Sequence, residues 1–323
     1  MVKNRSIAFC SDVHYIIPTY IALFSLLKNY RGTENLEIYI IAESEDVFHG
    51  YGDLFRQLED QFEVLKMHFV VSGPYFDDIK IKSDYITNAT MLRLLIPALI
   101  DAERCLYLDS DLVVEDDISD LTDTDLDGYC VAGVRDLSVS KDYPTNHSRL
   151  LGIPTTEDYL QGGALLMNLE EIHRLGLDTE LAREGKSKMY PYNDQDVINL
   201  VCFGKKKILD LRNNVVSINI NRNDKALAEM YGKSKVAEAR KRPLVFHYAG
   251  FRKPWKYRYM YGASRWWKYI QLLDHQVSQK FIGPFLNRQG ATFRDQTKEK
   301  FESLAKAAGL FPVCKKIEII RKN

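Results

Sequence analysis

Long apolar runs are missing from this chain of 323 residues. No stretch reaches the roughly 18 residues that a membrane-spanning helix needs. The opening MVKNRSIAFCSD is too short in its apolar part for a secretory leader, and Asp12 breaks it. The reading is therefore a soluble or peripheral protein. Cysteine is also scarce: Cys10, Cys105, Cys130, Cys202 and Cys314 are odd in number and scattered, and none falls in a CxxC pair. That excludes a zinc ribbon or a disulfide framework and favours a reducing compartment such as the cytoplasm. There is no G-x-G-x-x-G, which argues against a dehydrogenase, and no P-loop or Ser-His-Asp spacing. Internal repeats and low-complexity segments are lacking too.

Net charge is absent as a total, with 44 Lys and Arg against 44 Asp and Glu, but it is unevenly spread. Residues 251–323 carry 16 basic and 5 acidic side chains, so this end is strongly cationic and the rest is correspondingly acidic. The asymmetry suggests two regions, a catalytic-sized domain over 1–260 and a basic helical region over 261–323. A cationic tail attracts anionic membrane or nucleic acid, and a solvated helical tail fits it equally well.

Over the first hundred residues, strand-like and helix-like patterns alternate. Ile7–Cys10, Leu36–Ala42, Val64–Val71 and Cys105–Leu108 read as buried strands. The stretches 18–29, 46–61 and 89–100 read as helices, with Pro18 in a first turn where helices accept it. Gly128–Val134, Ala164–Asn168 and Leu244–His247 read as further strands, Asp194–Val201 as a short helix, and 263–280 and 295–308 as tail helices. This alternation predicts an α/β domain with a mostly parallel sheet. Ligands of such sheets bind beyond the carboxyl ends of the strands. Polar residues that close apolar runs are thus the first candidates: Asp12 after the first strand, and Asp109 and Asp111 after CLYL.

Two carboxylates at i and i+2 where a strand ends can both reach one hard cation if the chain turns there, leaving positions open for phosphate oxygens. By itself the Asp109-Ser110-Asp111 pattern reads more readily as an acidic loop with solvated carboxylates. Asp123 to Gly128 opens like a calcium loop, but the twelfth position is Val134 instead of Glu, which excludes it. His247 closes the run in VFHYAG. Gly250 next to it allows close backbone approach, and Arg252, Lys253 and Lys256 suit phosphate; a core histidine followed by the start of the basic tail fits as well. Asn193-Asp194-Gln195-Asp196 is either an N-cap or a set of polar groups beneath a reacting ligand. Gln161-Gly162-Gly163 is either a turn or a close backbone approach to a sugar, with Gln161 donating.

Taken together, IAFCSDVHY, TMLRLLIP, CLYLDSDLVV, YLQGGALLMNL, YNDQDVINL and VFHYAGFRKPW resemble, in the same order, the motifs of glycosyltransferase family 8. The likeness is strongest to the bacterial lipopolysaccharide and lipooligosaccharide galactosyl- and glucosyltransferases, and it spans about residues 5 to 260. It implies a GT-A type, Rossmann-like nucleotide-binding domain with a mixed, mostly parallel sheet and a small helical C-terminal region. It also implies that Asp109, Asp111 and His247 hold Mn²⁺ or Mg²⁺, with Ser110 in the same segment. Cys10, Asp12 and His14 fall where uridine is contacted, and Tyr15 where uracil stacks. Arg93 corresponds to a donor contact, Asp194 and Gln195 to the pair under the sugar ring, and Gly250 and Lys253 to diphosphate contacts. The chain departs from the family at Gln161 and Gly162, where Asn and Ala or Ser are common, and at Val13 and His14, where acidic or Asn residues are frequent.

The resemblance implies a retaining transferase that moves galactose or glucose from UDP-galactose or UDP-glucose to a glycan, glycolipid or glycoprotein. It implies no nucleic-acid partner, and a basic tail that approaches the inner face of an anionic membrane. The competing expectation is a nucleotide-sugar-binding protein without transfer activity.

Overall fold

The computed structural model of the chain describes residues 4–79, 81, 87–141 and 146–287. The helix expected at 295–308 and most of the basic tail lie outside these residues. The chain divides into two compact units, Met1–His247 and Tyr248–Asn323.

Among its described residues the first unit has ten strands: β1 (Asn4–Cys10), β2 (Asn35–Ala42), β3 (Leu65–Val71), β4 (Arg104–Leu108), β5 (Leu112–Val114), β6 (Val131–Arg135), β7 (Leu160–Asn168), β8 (Lys206–Ile208), β9 (Val215–Val216) and β10 (Val245–His247). Seven of them form one sheet in the order β3-β2-β1-β4-β7-β6-β8, and three form a second sheet in the order β5-β10-β9. In the large sheet, β3, β2, β1 and β4 run parallel, β7 is antiparallel to both β4 and β6, and β8 is parallel to β6. The expected α/β class with a mixed, mostly parallel sheet is the one observed.

The local reasons are legible. β1 lies inside the sheet and is buried at every position after Asn4, with its apolar residues in the second half, Ile7–Cys10, whereas the edge strand β3 alternates buried and exposed residues along its first half. The helix Ile16–Asn29 has 12 buried residues and packs inside the unit, while Gly52–Gln61 buries only Phe55 and Leu58, one face of an amphipathic helix. A core cluster beneath the sheet joins Tyr107, Leu165 and Met167 to Val197 and Ile198 of the helix Asn193–Val201. Each such side chain, once buried, contributes on the order of 1.5–3 kcal/mol.

Two expectations need correction. The segment 89–100 is a 3₁₀ helix over Asn88–Leu95 followed by a single α-turn over Ile96–Leu99. Pro97 has no N–H to continue an α ladder, and the Thr90 carbonyl accepts from Arg93 Nε at 3.0 Å. Residues 46–61 are likewise a 3₁₀ turn, Glu45–Phe48, and then the helix Gly52–Gln61. The second sheet was not foreseen: its strand β10 falls in the expected run Leu244–His247, but its partners β5 and β9 are three and two residues long, too short to leave a periodic signal, as is β8 at the edge of the large sheet.

The second unit, as far as described, contains the helices Ala263–Leu272 and His275–Asn287. Its aromatic centre includes Trp255, Trp266 and Trp267, with Arg258 over the Trp267 ring at 4.4 Å. No described helix is long and apolar enough to cross a membrane.

Candidate active site

Asp109-Ser110-Asp111 is the crossing point between the two sheets. β4 ends at Leu108 in the large sheet and β5 begins at Leu112 in the small one, so three residues carry the chain from one to the other. Antiparallel pairing then supplies the neighbours. Leu108 is opposite Ala164, and the next bond runs from Asp109 N–H to the carbonyl of Gly163 at 2.9 Å. His247 is opposite Leu112 on β10, which sets its ring beside Asp111. Ser110 is turned inward and pins the crossing: its hydroxyl donates to the Cys10 carbonyl at 3.1 Å and meets Thr19 Oγ1 at 2.7 Å.

Gly163 leaves the room in which these groups converge. A Cβ built there would lie 2.2 Å from His247 Cε1 and 2.9 Å from Asp109 Oδ2. Ligand atoms of Asp109, Asp111 and His247 all lie within 4.8 Å of one another. His247 is 1% exposed, and its Nε2 sits 3.1 Å from Asp111 Oδ1 and 3.5 Å from Asp109 Oδ2.

A polar relay determines which ring nitrogen carries the proton. Gly163 N–H is only a donor, so Gln161 Oε1 accepts from it at 2.8 Å. The same oxygen accepts from Asn214 Nδ2, which turns Asn214 Oδ1 toward His247 Nδ1 at 3.2 Å. Nδ1–H donates to that oxygen, and Nε2 is left with its lone pair facing two carboxylates. Acceptors opposed in this way repel, so the arrangement calls for positive charge among them, either a proton on Nε2 or a metal ion. Two carboxylates and an imidazole suit Mn²⁺ and Mg²⁺. The residues present fit a divalent cation.

Arg93 organises the neighbouring half of the site. It is 5% exposed, and its guanidinium pairs with Asp109 at 2.8 Å and Asp194 at 2.9 Å, donates to the Gly162 carbonyl at 2.5 Å, and lies over the Tyr107 ring at 4.4 Å. Burial works against its charge, but the carboxylates of Asp109 and Asp194 outweigh burial and raise its pKa. Tyr107 also donates to Asp109 Oδ1 at 2.6 Å, so Oδ1 is engaged by protein donors and Oδ2 is the oxygen toward His247.

Asp194 faces Arg93 and accepts from Thr90 Oγ1 at 2.7 Å, while Gln195 accepts from Gly162 N–H at 2.8 Å. Burial raises the Asp194 carboxyl to about 6, against the pull of Arg93 and Thr90. Asn193, at φ 46°, places the start of this helix in the left-handed region, which Asn tolerates better than most residues.

At the end of β1 the Cys10 thiol is buried and held up by that burial; the residue offers its carbonyl to Ser110. Asp12 shapes the following turn, accepting from His14 N–H at 2.7 Å, Tyr15 N–H at 2.9 Å and Thr87 Oγ1 at 2.5 Å. His14 is exposed and Tyr15 half-buried. Gly250 and Lys253 belong to the second unit. Gly250 takes φ of 92°, which suits glycine, and the buried Lys253 donates to the Tyr248 carbonyl at 3.1 Å.

Sequence reading missed Thr90, Tyr107, Asp136 and Asn214. Asp136 follows the strand-like VAGVR, the same cue that singled out Asp12 and Asp109. Asn214 carried no cue, because its role depends on a histidine 33 residues away.

A model of glycosyl transferase family 8 matches residues 6–258. Lipopolysaccharide 1,2-glucosyltransferase of Escherichia coli (strain K12) is 27% identical over 270 residues, covering 81% of this chain and 76% of that protein. Among solved structures, the galactosyltransferase LgtC in complex with donor and acceptor sugar analogs superposes with a TM-score of 0.68 at 22% identity, covering 86% of this chain and all of that one. The WbbM bifunctional glycosyltransferase superposes with a TM-score of 0.72 at 22% identity over 90% of this chain and 52% of that protein, so the present chain spans about half of it. The two structural likenesses bear on the fold, which is that of the GT-A glycosyltransferases.

Proposed function

The chain belongs to glycosyl transferase family 8 and is a glycosyltransferase, and on that premise we propose that it moves a hexose, galactose or glucose, from a UDP-sugar to a glycan, glycolipid or glycoprotein acceptor with retention of anomeric configuration. The observation that carries the reading is the position of His247 Nε2, 3.1 Å from Asp111 Oδ1 and 3.5 Å from Asp109 Oδ2, with Nδ1 held at Asn214. A divalent cation held by these three residues, Mn²⁺ or Mg²⁺, would neutralise the diphosphate of the leaving group.

Each remaining role falls to a side chain. Asp12 and Tyr15 hold the nucleoside, with Cys10 and His14 in the same segment. The resemblance to the family is what assigns diphosphate contacts to Gly250 and Lys253. Arg93 pairs with both Asp109 and Asp194 and holds in place two carboxylates that would otherwise repel. Asp194 accepts from sugar hydroxyls. Gln195 lies near the anomeric carbon, and because an amide is a poor nucleophile, the acceptor hydroxyl attacks from the face that UDP leaves while the leaving phosphate takes its proton. A double displacement through Asp194 is the minor route, and Asp194 is already engaged by Arg93 and Thr90. Contacts to the acceptor fall to the segments 136–158 and 221–240. The basic tail is the part suited to an anionic membrane surface.

A screen of UDP-sugars with the product anomer read by NMR tests this. Turnover of UDP-galactose or UDP-glucose to a retained product is expected. An inverted product, or release of no UDP from any donor, contradicts it. A binding protein without transfer activity would bind UDP-sugar and release no UDP.

A further inference from the structure

The first turn of the helix Asn193–Val201 contains a polar chain whose direction is fixed at both ends. At one end the Gly162 N–H can only donate, and Gln195 Oε1 accepts from it at 2.8 Å. The other arm of the amide, Nε2, therefore faces Asp136 and donates to its Oδ2 at 3.2 Å. Asp136 Oδ1 is committed elsewhere, accepting from Ser138 N–H at 2.7 Å and Val139 N–H at 3.1 Å where the helix Leu137–Lys141 begins. Three donors converge on this carboxylate, so it acts as an acceptor. Burial raises its pKa above the ordinary carboxylate value, and those same three bonds oppose the rise. The frame around the pair is bonded as well: Asp136 N–H donates to the Tyr159 carbonyl at 2.8 Å, and the Tyr159 hydroxyl donates to Asp196, whose other oxygen accepts from Tyr192 N–H at 2.9 Å.

A donor at Gly162 and an acceptor at Asp136 leave one kind of group for position 195, accepting on one arm and donating on the other. Glutamine meets both demands. Glutamate meets the first and turns its second oxygen onto the Asp136 carboxylate, and like charges so close are strongly unfavourable. We infer that Asp136 is a positioning residue that requires an amide at Gln195 and so keeps a carboxylate nucleophile out of the place beneath the reacting sugar. The inference rests on the proposed transferase reading and deepens it. The front-side route becomes a consequence of Asp136, a residue on the neighbouring strand end, and not of Gln195 alone.

Reversing the polarity of the pair tests it. Asn at 136 keeps an oxygen for Ser138 and Val139 while presenting an NH₂ to residue 195. Asp136→Asn alone therefore sets donor against donor, and Gln195→Glu alone sets acceptor against acceptor. The double variant Asp136→Asn/Gln195→Glu pairs donor with acceptor again. Each single variant is expected to lose kcat, with the donor KM moving by less than about threefold. The double variant should exceed the product of the two single effects by about tenfold or more, as directly contacting groups do. In Gln195→Glu, activity should also fall as pH rises and the pair ionises, and that fall should be absent from the double variant.

Multiplicative losses in the double variant, or wild-type kcat in either single one, would overturn the inference. Thermal unfolding reads the same coupling without a donor: Gln195→Glu should lower the midpoint and the double variant restore it. A double variant no more stable than Gln195→Glu overturns the inference whatever the enzyme turns over. If the wild-type enzyme turns over no UDP-sugar while the midpoints still couple, the transferase reading fails and the role of Asp136 stands.

Discussion

Gly163→Ala is a one-carbon change with a large expected effect on cation binding and a small one on folding. Gly163 lies within β7, and its φ is not among the positive values, so the backbone accepts alanine there. The side chain does not fit. Its Cβ would meet His247 Cε1 at 2.2 Å and Nδ1 at 2.6 Å, whereas ordinary contact begins at 3.4 Å, so the ring must retreat by about 1.2 Å. The backbone that bears the ring is paired with β5 and β9, and its Nδ1 is held by Asn214. Metal–ligand distances tolerate about 0.2 Å, so a displacement of this size removes His247 from any shared coordination. The affinity for Mn²⁺ should fall by at least the roughly 10–100-fold seen when ligand orientation is disturbed. Titration calorimetry with Mn²⁺ measures this, and circular dichroism confirms the fold. Gly162→Ala is the comparison, because its Cβ would meet only the side chains of Arg93 at 3.1 Å and Gln195 at 3.4 Å. Wild-type Mn²⁺ affinity in Gly163→Ala would refute the reasoning.

Asn214→Ala removes the acceptor from His247 Nδ1 and frees the ring to take the other tautomer; Mn²⁺ affinity should drop about 10–100-fold by calorimetry. Arg93→Ala leaves the buried Asp194 and the half-buried Asp109 without their shared partner and should cost about 3–5 kcal/mol in urea unfolding. Arg93→Lys should recover only part of that, since it keeps the charge and loses the fork that reaches both carboxylates. The Asp194 carboxyl, raised to about 6 by burial, should give kcat an acid limb near that pH, absent from Asp194→Asn. Because the folded value lies above the unfolded one, the stability this group contributes is complete below about pH 4. It is lost as pH rises through about 6, so unfolding free energy measured from pH 4 to 7 should decline less in Asp194→Asn.

The sequence signalled the fold wherever strands are apolar over several residues. β1, β2, β3 and β4 each stood out as an apolar run, most plainly β1 and β4, where a strand covered on both faces has no solvent face to alternate with. The polar residues that close β4 and β10 pointed to Asp109, Asp111 and His247. Proximity was not legible. That β10 pairs with β5, and so sets His247 beside Asp111, depends on a three-stranded sheet whose other members, β5 and β9, are too short to announce themselves. Gln161 shows the limit from the other side. Its departure from the family pattern was visible, and a sugar contact was the natural expectation. In the fold its oxygen lies instead between Gly163 N–H and Asn214, from where it sets the tautomer of His247. Asp136 could have been found by the rule that found Asp12, whereas Asn214 could not, because a relay residue acts only through contacts that the chain order conceals.

The central claim is that Asp109, Asp111 and His247 together hold a divalent cation needed for transfer from a UDP-sugar. The direct measurement is UDP release from UDP-galactose and UDP-glucose by enzyme stripped with EDTA, followed across a Mn²⁺ titration, for the wild type and for His247→Ala. The account predicts no turnover without the cation, recovery in the wild type as Mn²⁺ is restored, and in His247→Ala a requirement for at least about tenfold more Mn²⁺. Turnover that persists in EDTA, or the same Mn²⁺ requirement in both proteins, would contradict it.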